Sequence, residues 1–482
     1  MNNLFCNKKS IERNALIIFL CLVFVFFYIF YSLIHPLIPI DLDDWRYLIR
    51  NRLFIPIWGE GNPTKIMPEF LYPFISSIGI NTFYPFTKDY ILSLTIIHSI
   101  FISLCITGYI YMFIRLLKKR FSVCYSHAIL FALIFLLFHF LVFRTQETNN
   151  VYMFYAMDLN CYYNYTLPNL LCASIVISLY TNDWLSKNIC PTIKSASIIF
   201  VLYLALFSNL YSSIILMSYI SVDIMLCYYH FGNKNINIIQ FIKTNRYKFV
   251  LIFVWLIIHI FEANGERAAA KWTNYKPFIL SVKQAFMCLF DINVSPHFVF
   301  LSIFLSSIGV FFFKKSIYYN NYWKILIPLL FCIIYCVLLS AKVYPLYVLR
   351  PDVNYSFVFY AVFFVLIVLL KIYQKYPIII NIIPISIFML YSFINRTSVT
   401  FCDLWRDYDF ATIKTIIEKN TNEIIKADES CCDSVIIWVP TVNSGDSWMF
   451  SNGVNYNNIL FKHGIINHNV HIIMKDDDKA LK

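Results

Sequence analysis

Charge is what this chain lacks. Only 14% of its residues are Asp, Glu, Lys or Arg, against 59% hydrophobic, and the mean hydropathy is +0.64. That shortage excludes a soluble globular protein of 482 residues, because a single core cannot hide so much apolar surface. Acids are scarcer than bases, 27 against 39. The resulting net charge of +12 still does not point to nucleic acid, because the bases cluster in short stretches between apolar runs. No Cys-x-x-Cys pair or zinc-type Cys/His spacing occurs, so a structural zinc is not expected. No internal repeat is evident, which removes the support an inverted-repeat transporter would have. Ala15–Ile34 is too long for the core of a signal peptide and lacks a small-residue cleavage site, so it reads as a first membrane span.

What is present is a series of apolar runs. A helix needs about 20 residues to cross the hydrocarbon of a bilayer, and in lipid the backbone must bond to itself. Eleven spans are expected: Ala15–Ile34, Tyr90–Ile114, Val123–Phe143, Leu167–Tyr180, Ser195–Ser208, Tyr211–Tyr229, Phe249–Phe261, Phe298–Phe313, Ile325–Ala341, Phe357–Leu370 and Ile378–Ile394. The fold class is thus an all-α polytopic membrane protein of about 11 transmembrane helices. Only Asn209 and its neighbours mark the turn between the fifth and sixth spans.

One set of loops holds nearly all the bases, including Lys8, Arg13, Arg115, Lys118, Lys243, Lys248, Lys324 and Lys371. The positive-inside rule then puts the N-terminus in the cytoplasm and the C-terminus outside. The opposite face carries the long segments 35–89, 144–166, 262–297 and 342–356, and function is expected there. Residues 1–394 form the membrane domain. Residues 395–482 form a small extracytoplasmic α/β domain, with a helix over Asp407–Lys426, strands over Ser434–Pro440 and Asn469–Met474, and loop to Asn458. In this tail a bridge from Cys402 to Cys431 or Cys432 is open to the chain.

Directly after the first span the chain reads Pro36-Leu37-Ile38-Pro39-Ile40-Asp41-Leu42-Asp43-Asp44-Trp45. A carboxylate at a membrane mouth can take a proton from an attacking hydroxyl or offer a hard ligand to a divalent cation. Asp44 stands slightly ahead of Asp43 for the proton, with Asp41 behind them. The plainer account is an acidic helix-capping turn, and both can hold together. Trp45, Tyr47 and Leu48, with Arg46 and Arg50, read as an amphipathic helix lying in the interface.

Other candidates sit on the same face. Glu69, between Pro68 and Pro73, suits a sugar hydroxyl or a cation, or is a surface glutamate on a turn. In Glu262-Ala263-Asn264-Gly265-Glu266-Arg267, Gly265 permits a tight turn and Arg267 can fork onto a phosphate. With Lys271, Arg144 and Arg350 it would make an anion site, although snorkelling explains any one of these bases. Asn164 and the tyrosines around it suit sugar recognition, yet tyrosines belong to any interface belt. His98, His139 and His259 lie singly in spans and read as buried, each with one hydrogen bond. Asp223 lies near the cytoplasmic end of its span and is expected to reach water.

Taken together, a first helix, an outer loop opening with Asp41-Leu42-Asp43-Asp44, many further spans and an outer tail resemble the GT-C class of membrane glycosyltransferases. The pattern looks most like the phage-type serotype-converting O-antigen glucosyltransferases. Tyr162 to Pro168 and Asn264-Gly265-Glu266-Arg267 look similar to softer positions in related transferases. The resemblance implies a polyprenyl-phosphate sugar donor, a hydroxyl of lipid-linked O-antigen as acceptor, and the outer face of a bacterial inner membrane. Membrane lipids are the other partner. It implies no cofactor, although the Asp cluster leaves room for a divalent cation. One Asp would be the base, with Arg267 and Arg350 stabilising the departing phosphate. Rival expectations are an O-antigen polymerase, a lipid A glycosyltransferase and a polysaccharide or lipid transporter. The last should line its spans with polar residues, and these spans hold few.

Overall fold

A backbone in lipid must satisfy its own hydrogen bonds, and the described residues of this chain are mostly helical. The computed structural model describes residues 2–40, 42–50, 52–143, 152–156, 158–186, 192–232, 238–266, 275–292, 294, 298–300, 302–305, 307, 319–375, 410–439 and 453–476. Helix α1 (Asn2–Ile29) ends in a π-helical turn, Phe30–Ile34. It is followed by α2 (Leu42–Tyr47), α3 (Ile66–Thr87), α4 (Tyr90–Phe121) and α5 (Tyr125–Leu141). A short turn, α6 (Leu159–Cys161), runs through a π-helical turn, Tyr162–Thr166, into α7 (Leu167–Thr181). Then come α8 (Ile193–Leu206), α9 (Leu210–Gly232), α10 (Ile238–Thr244), α11 (Arg246–Ala263), α12 (Tyr275–Cys288), α13 (Tyr319–Val343) and α14 (Pro351–Lys375).

Among the described residues, five helices are long and apolar enough to cross a membrane: Glu12–Ile34, Tyr90–Phe121, Leu210–Tyr229, Tyr322–Val343 and Pro351–Lys375. They coincide with the first, second, sixth, ninth and tenth expected spans. The third and fifth appear as the shorter apolar helices Tyr125–Leu141 and Ser195–Leu206. The fourth and seventh lie within α7 and α11. Half of the eighth, and all of the eleventh, fall outside the described residues. Burial orders these helices. The α14 window is 94% buried and that of α1 only 28%, so α14 is an inner helix and α1 a peripheral one. Around α14 pack α5, α7, α9 and α13.

Several expectations change. The segment 35–89 is not open loop, because α3 occupies 22 residues of it. Pro68 sits in its first turn, where an amide hydrogen has no helical partner to lose, so it starts the helix rather than breaking it. Helix α12 likewise occupies part of the expected outer segment 262–297. Helix α2 does not lie in an interface: Asp44, Trp45 and Tyr47 are all buried. Asp223 does not reach water. Its carboxylate is buried between Lys248, at 2.5 Å, and Lys324, and Lys248 also holds Asp183 at 2.7 Å. The three histidines each use both ring nitrogens, as His98 does with Ser76 (3.2 Å) and Tyr163 (2.7 Å).

Beyond the bundle, the apolar periodicity yields α15 (Phe410–Glu429). Strands β1 (Ser434–Val439) and β2 (His471–Asp476) pair in parallel, with Ser434 opposite His471 and Val439 opposite Asp476. A parallel pair needs a crossover, which α16 (Gly453–Lys462) supplies where the Asn-rich composition reads as loop. Asp428 joins this unit, accepting the amides of Asn467 and His468 at 3.0 and 2.8 Å. The unit rests on the start of the bundle. The Tyr456 ring lies 4.1 Å from Trp45, and the Tyr90 hydroxyl and His463 Nδ1 share a hydrogen bond of 2.8 Å. Cys431 and Cys432 are exposed thiols, while Cys402 lies outside the described residues.

Candidate active site

Helix α2 begins with acid. Asp43 and Asp44 occupy its first turn, where the helix dipole favours negative charge. Asp44 is fully buried, and each of its oxygens holds a main-chain amide. Oδ2 accepts from Ile40 at 2.6 Å and Oδ1 from Asn160 at 2.5 Å. The first bond folds the Pro36–Ile40 approach onto α2, and the second ties α2 to the start of α6. Asp158 caps that same start by accepting the Cys161 amide at 2.6 Å. Two acids thus converge on one helix N-terminus. Asp43, beside them, is half-buried.

Arg350 reaches the same turn from the entry to α14. Its Nη2 and Nε donate to the two Asp352 oxygens at 2.5 and 3.0 Å, and Nη2 also reaches Cys161 Sγ at 3.3 Å. The guanidinium lies over the Tyr165 and Tyr347 rings, 4.8 and 5.3 Å from their centroids. Burial works against its charge, but Asp352 and the other neighbours hold it well above its ordinary value. It is a fixed cation. Asn160 and Cys161 are consecutive, so the acidic motif and this cation are held on adjacent residues of one turn.

Asn164 belongs to the same turn, but it faces the backbone. It donates to the Asn160 carbonyl and side chain at 3.0 and 2.8 Å, and its own carbonyl accepts from Asn209 at 2.9 Å. Tyr72, on α3, stacks on Tyr163 at 4.9 Å, and its buried hydroxyl has no hydrogen-bond partner among the described residues. Burial, then the nearby Asp44, raises that phenol well above its ordinary value.

A second cluster shares α2. The Tyr47 hydroxyl accepts from Asn62 at 2.9 Å, and Asn62 donates to Glu69 at 2.7 Å. Arg52 and Arg50 lie 3.3 and 3.7 Å from Glu69, and both also reach Glu60, at 2.6 and 3.4 Å. Burial raises the Glu69 carboxyl, while Arg50, Asn62, Arg52 and Lys65 oppose it. Glu69 is therefore the buried hub of an ion-pair network, not a surface acid. The loop it holds docks on α11, where Thr64 donates its amide to Glu262 at 3.1 Å and its hydroxyl to the same oxygen. Gly265 sits in a turn, its amide bonded to the Glu262 carbonyl at 3.3 Å, and it also completes the fit by close approach. A Cβ there would lie 2.8 Å from the Pro63 side chain and 2.9 Å from the Glu60 carbonyl. Glu266, exposed, stands beside Gly61 in this loop.

The structure thus joins Asp44, Asn164 and Arg350 around one turn, and Glu69 and Glu266 around one loop. Asp41, Arg144, Arg267 and Lys271 lie outside the described residues. Four partners carry little flag in the sequence: Arg52, Asn62, Asp352 and the main-chain amide of Asn160. Only Asp352 offers a signal, an acid in the first turn of an apolar helix two residues past an arginine. Among the described residues no three His, Cys, Asp or Glu side chains gather as a metal-binding group. Comparison with protein-family models, with curated proteins and with solved structures finds no match to this chain.

Proposed function

We propose that the chain is a polyprenyl-phosphate-dependent glycosyltransferase of the GT-C type. It would move a sugar, glucose in the simplest case, to a hydroxyl of lipid-linked O-antigen at the outer face of a bacterial inner membrane. In this reading about eleven spans carry the site and residues 395–482 lie outside as a domain of their own. The observation that supports it is the meeting of a buried carboxylate and a half-buried cation, Asp44 and Arg350, on Asn160 and Cys161.

The roles divide by geometry. Asp44 already holds two amides, so it positions the turn, and half-buried Asp43 takes the proton. The acceptor oxygen then bonds to the anomeric carbon as the bond from that carbon to the phosphate oxygen breaks. The electron pair leaves with the phosphate. Arg350, with Arg267 and Lys271, stabilises the growing negative charge, and the phosphate competes with Asp352 for the guanidinium.

The test is reconstitution in liposomes with polyprenyl-phosphate glucose and lipid-linked O-antigen oligosaccharide, followed by mass spectrometry of the glycan. One hexose added by wild type, and none by Asp43→Asn at matched levels, is the expected result. A longer chain instead of a branch would make it a polymerase. Addition to lipid A alone would change the acceptor. No transfer by wild type would sink the reading.

A further inference from the structure

The loop between α2 and α3 holds its apolar side chains outward. Leu53, Ile55 and Trp58 are 64%, 58% and 58% exposed, the reverse of α2 just before them. This exposure is built in, not a frayed end. Beneath the tip, buried Arg52 bonds to Glu60 at 2.6 Å and to the Pro63 carbonyl at 2.7 Å, and the Ile57 amide bonds to that same carbonyl at 3.0 Å. Gly59, at φ +81, makes the turn that a residue with a side chain would resist. A rigid polar base therefore presents a fixed apolar tip.

The tip continues the outer surface of two helices. Trp58 packs edge-on against Phe261 at the end of α11, 5.0 Å between ring centroids. That helix shows Val250, Phe253, Leu256 and Ile260 on its outside, each more than half exposed. On its other flank, Phe54 meets Phe200 of α8 at 6.2 Å, and the Tyr203 hydroxyl donates to the Phe54 carbonyl at 2.6 Å. Ile199 and Phe200 are exposed there in turn. Arg50 and Lys65 stand beside Glu69 at the base, positive charges of the kind an anionic headgroup layer accepts.

We propose that Leu53–Trp58 is a membrane-dipping loop whose partner is the acyl region of the outer lipid surface, with its arginines at headgroup level. Apolar continuity with α8 and α11 favours lipid over a protein partner, and an indole at the boundary suits that depth. The inference rests on reading the chain as a membrane protein, but not on the transfer reaction.

The experiment places the photo-crosslinker p-benzoylphenylalanine singly at Leu53, Ile55 or Trp58 in the full chain. The protein is reconstituted in vesicles of phosphatidylethanolamine and phosphatidylglycerol, irradiated and analysed by mass spectrometry. Leu22 of α1 is the lipid-facing control and Arg46 the polar one. Acyl-chain adducts at the three loop sites, comparable to Leu22 and at least about tenfold above Arg46, are expected. All five positions are exposed, and each variant is checked for an unchanged melting temperature. Adducts at Leu22 but none at the loop would overturn the proposal while leaving the membrane reading intact. Cross-links from the loop to this chain itself would overturn it by identifying a covering segment. No adduct at Leu22 would overturn both.

Discussion

A carboxylate that holds two amides and a carboxylate beside it have different jobs, and substitution separates them. Asp44→Asn puts an amide group where one of two N–H donors points. Since a hydrogen bond to a charged group is worth about 1.5–3 kcal/mol, that variant should lose stability of this order as well as activity. Asp43→Asn should lose activity out of proportion to any loss of stability. Thermal unfolding in detergent beside the transfer assay checks both, and equal destabilisation would make Asp43 structural as well. The buried Asp223 sets a second expectation. Lys248→Met leaves Asp183 and half of the Asp223 pairing uncompensated, and breaking such a pair costs about 3–5 kcal/mol. The melting temperature should fall steeply, whereas the exposed Lys243→Met should leave it in place.

Elements are joined through contacts that single residues govern, and the C-terminal unit is the clearest case. His463 is half-buried against Tyr90, and that burial lowers its pKa to about 4, from an ordinary value near 6.5. Below that ordinary value the detached form takes up a proton that the docked form refuses. Docking is therefore at full strength above pH of about 6.5 and weakens progressively as pH falls toward about 4. Amide protection across 453–476, taken relative to the intrinsic exchange rate at each pH, should fall between pH about 7.5 and about 5, and His463→Gln should flatten that fall. Protection that does not change with pH would count against the contact.

How much could be read in advance differs between elements. Helix α15 follows its apolar period, and the break near Asn209 separates α8 from α9 as expected. Helix α3 was hidden because Pro68, Pro73 and Glu69 look like loop. Its prolines are tolerated at the start and by context, and its acid is buried by arginines. Asparagines disguised α16 in the same way. At the site, Asp44 and Arg350 stood out as charged residues beside apolar runs. Their meeting point did not, because one of them binds a backbone amide, a group every residue carries.

On the scale of the whole molecule, the short base-rich loops alternate in sequence with the longer segments that carry most of the acids, and this sets the expected topology. An alkaline phosphatase domain fused after Lys482 should be active, and one fused after Arg120 inactive. The reverse pattern would turn the site to the cytoplasm and rule out a donor flipped beforehand.

The π-helical turn at Tyr162–Thr166 has a further consequence for how this chain can change over time. Such a turn is one residue longer than α-helix needs, so it works as an insertion accommodated in place. Upstream of it, Asn160 and Cys161 meet the acid and the cation; downstream, Asn169 donates to the Asp352 carbonyl at 2.8 Å. Deleting one residue here would restore a regular helix and turn one half by about 100° against the other. A repair of local geometry would thus dismantle the site. Point substitutions should be far better tolerated across 162–166 than any change in its length.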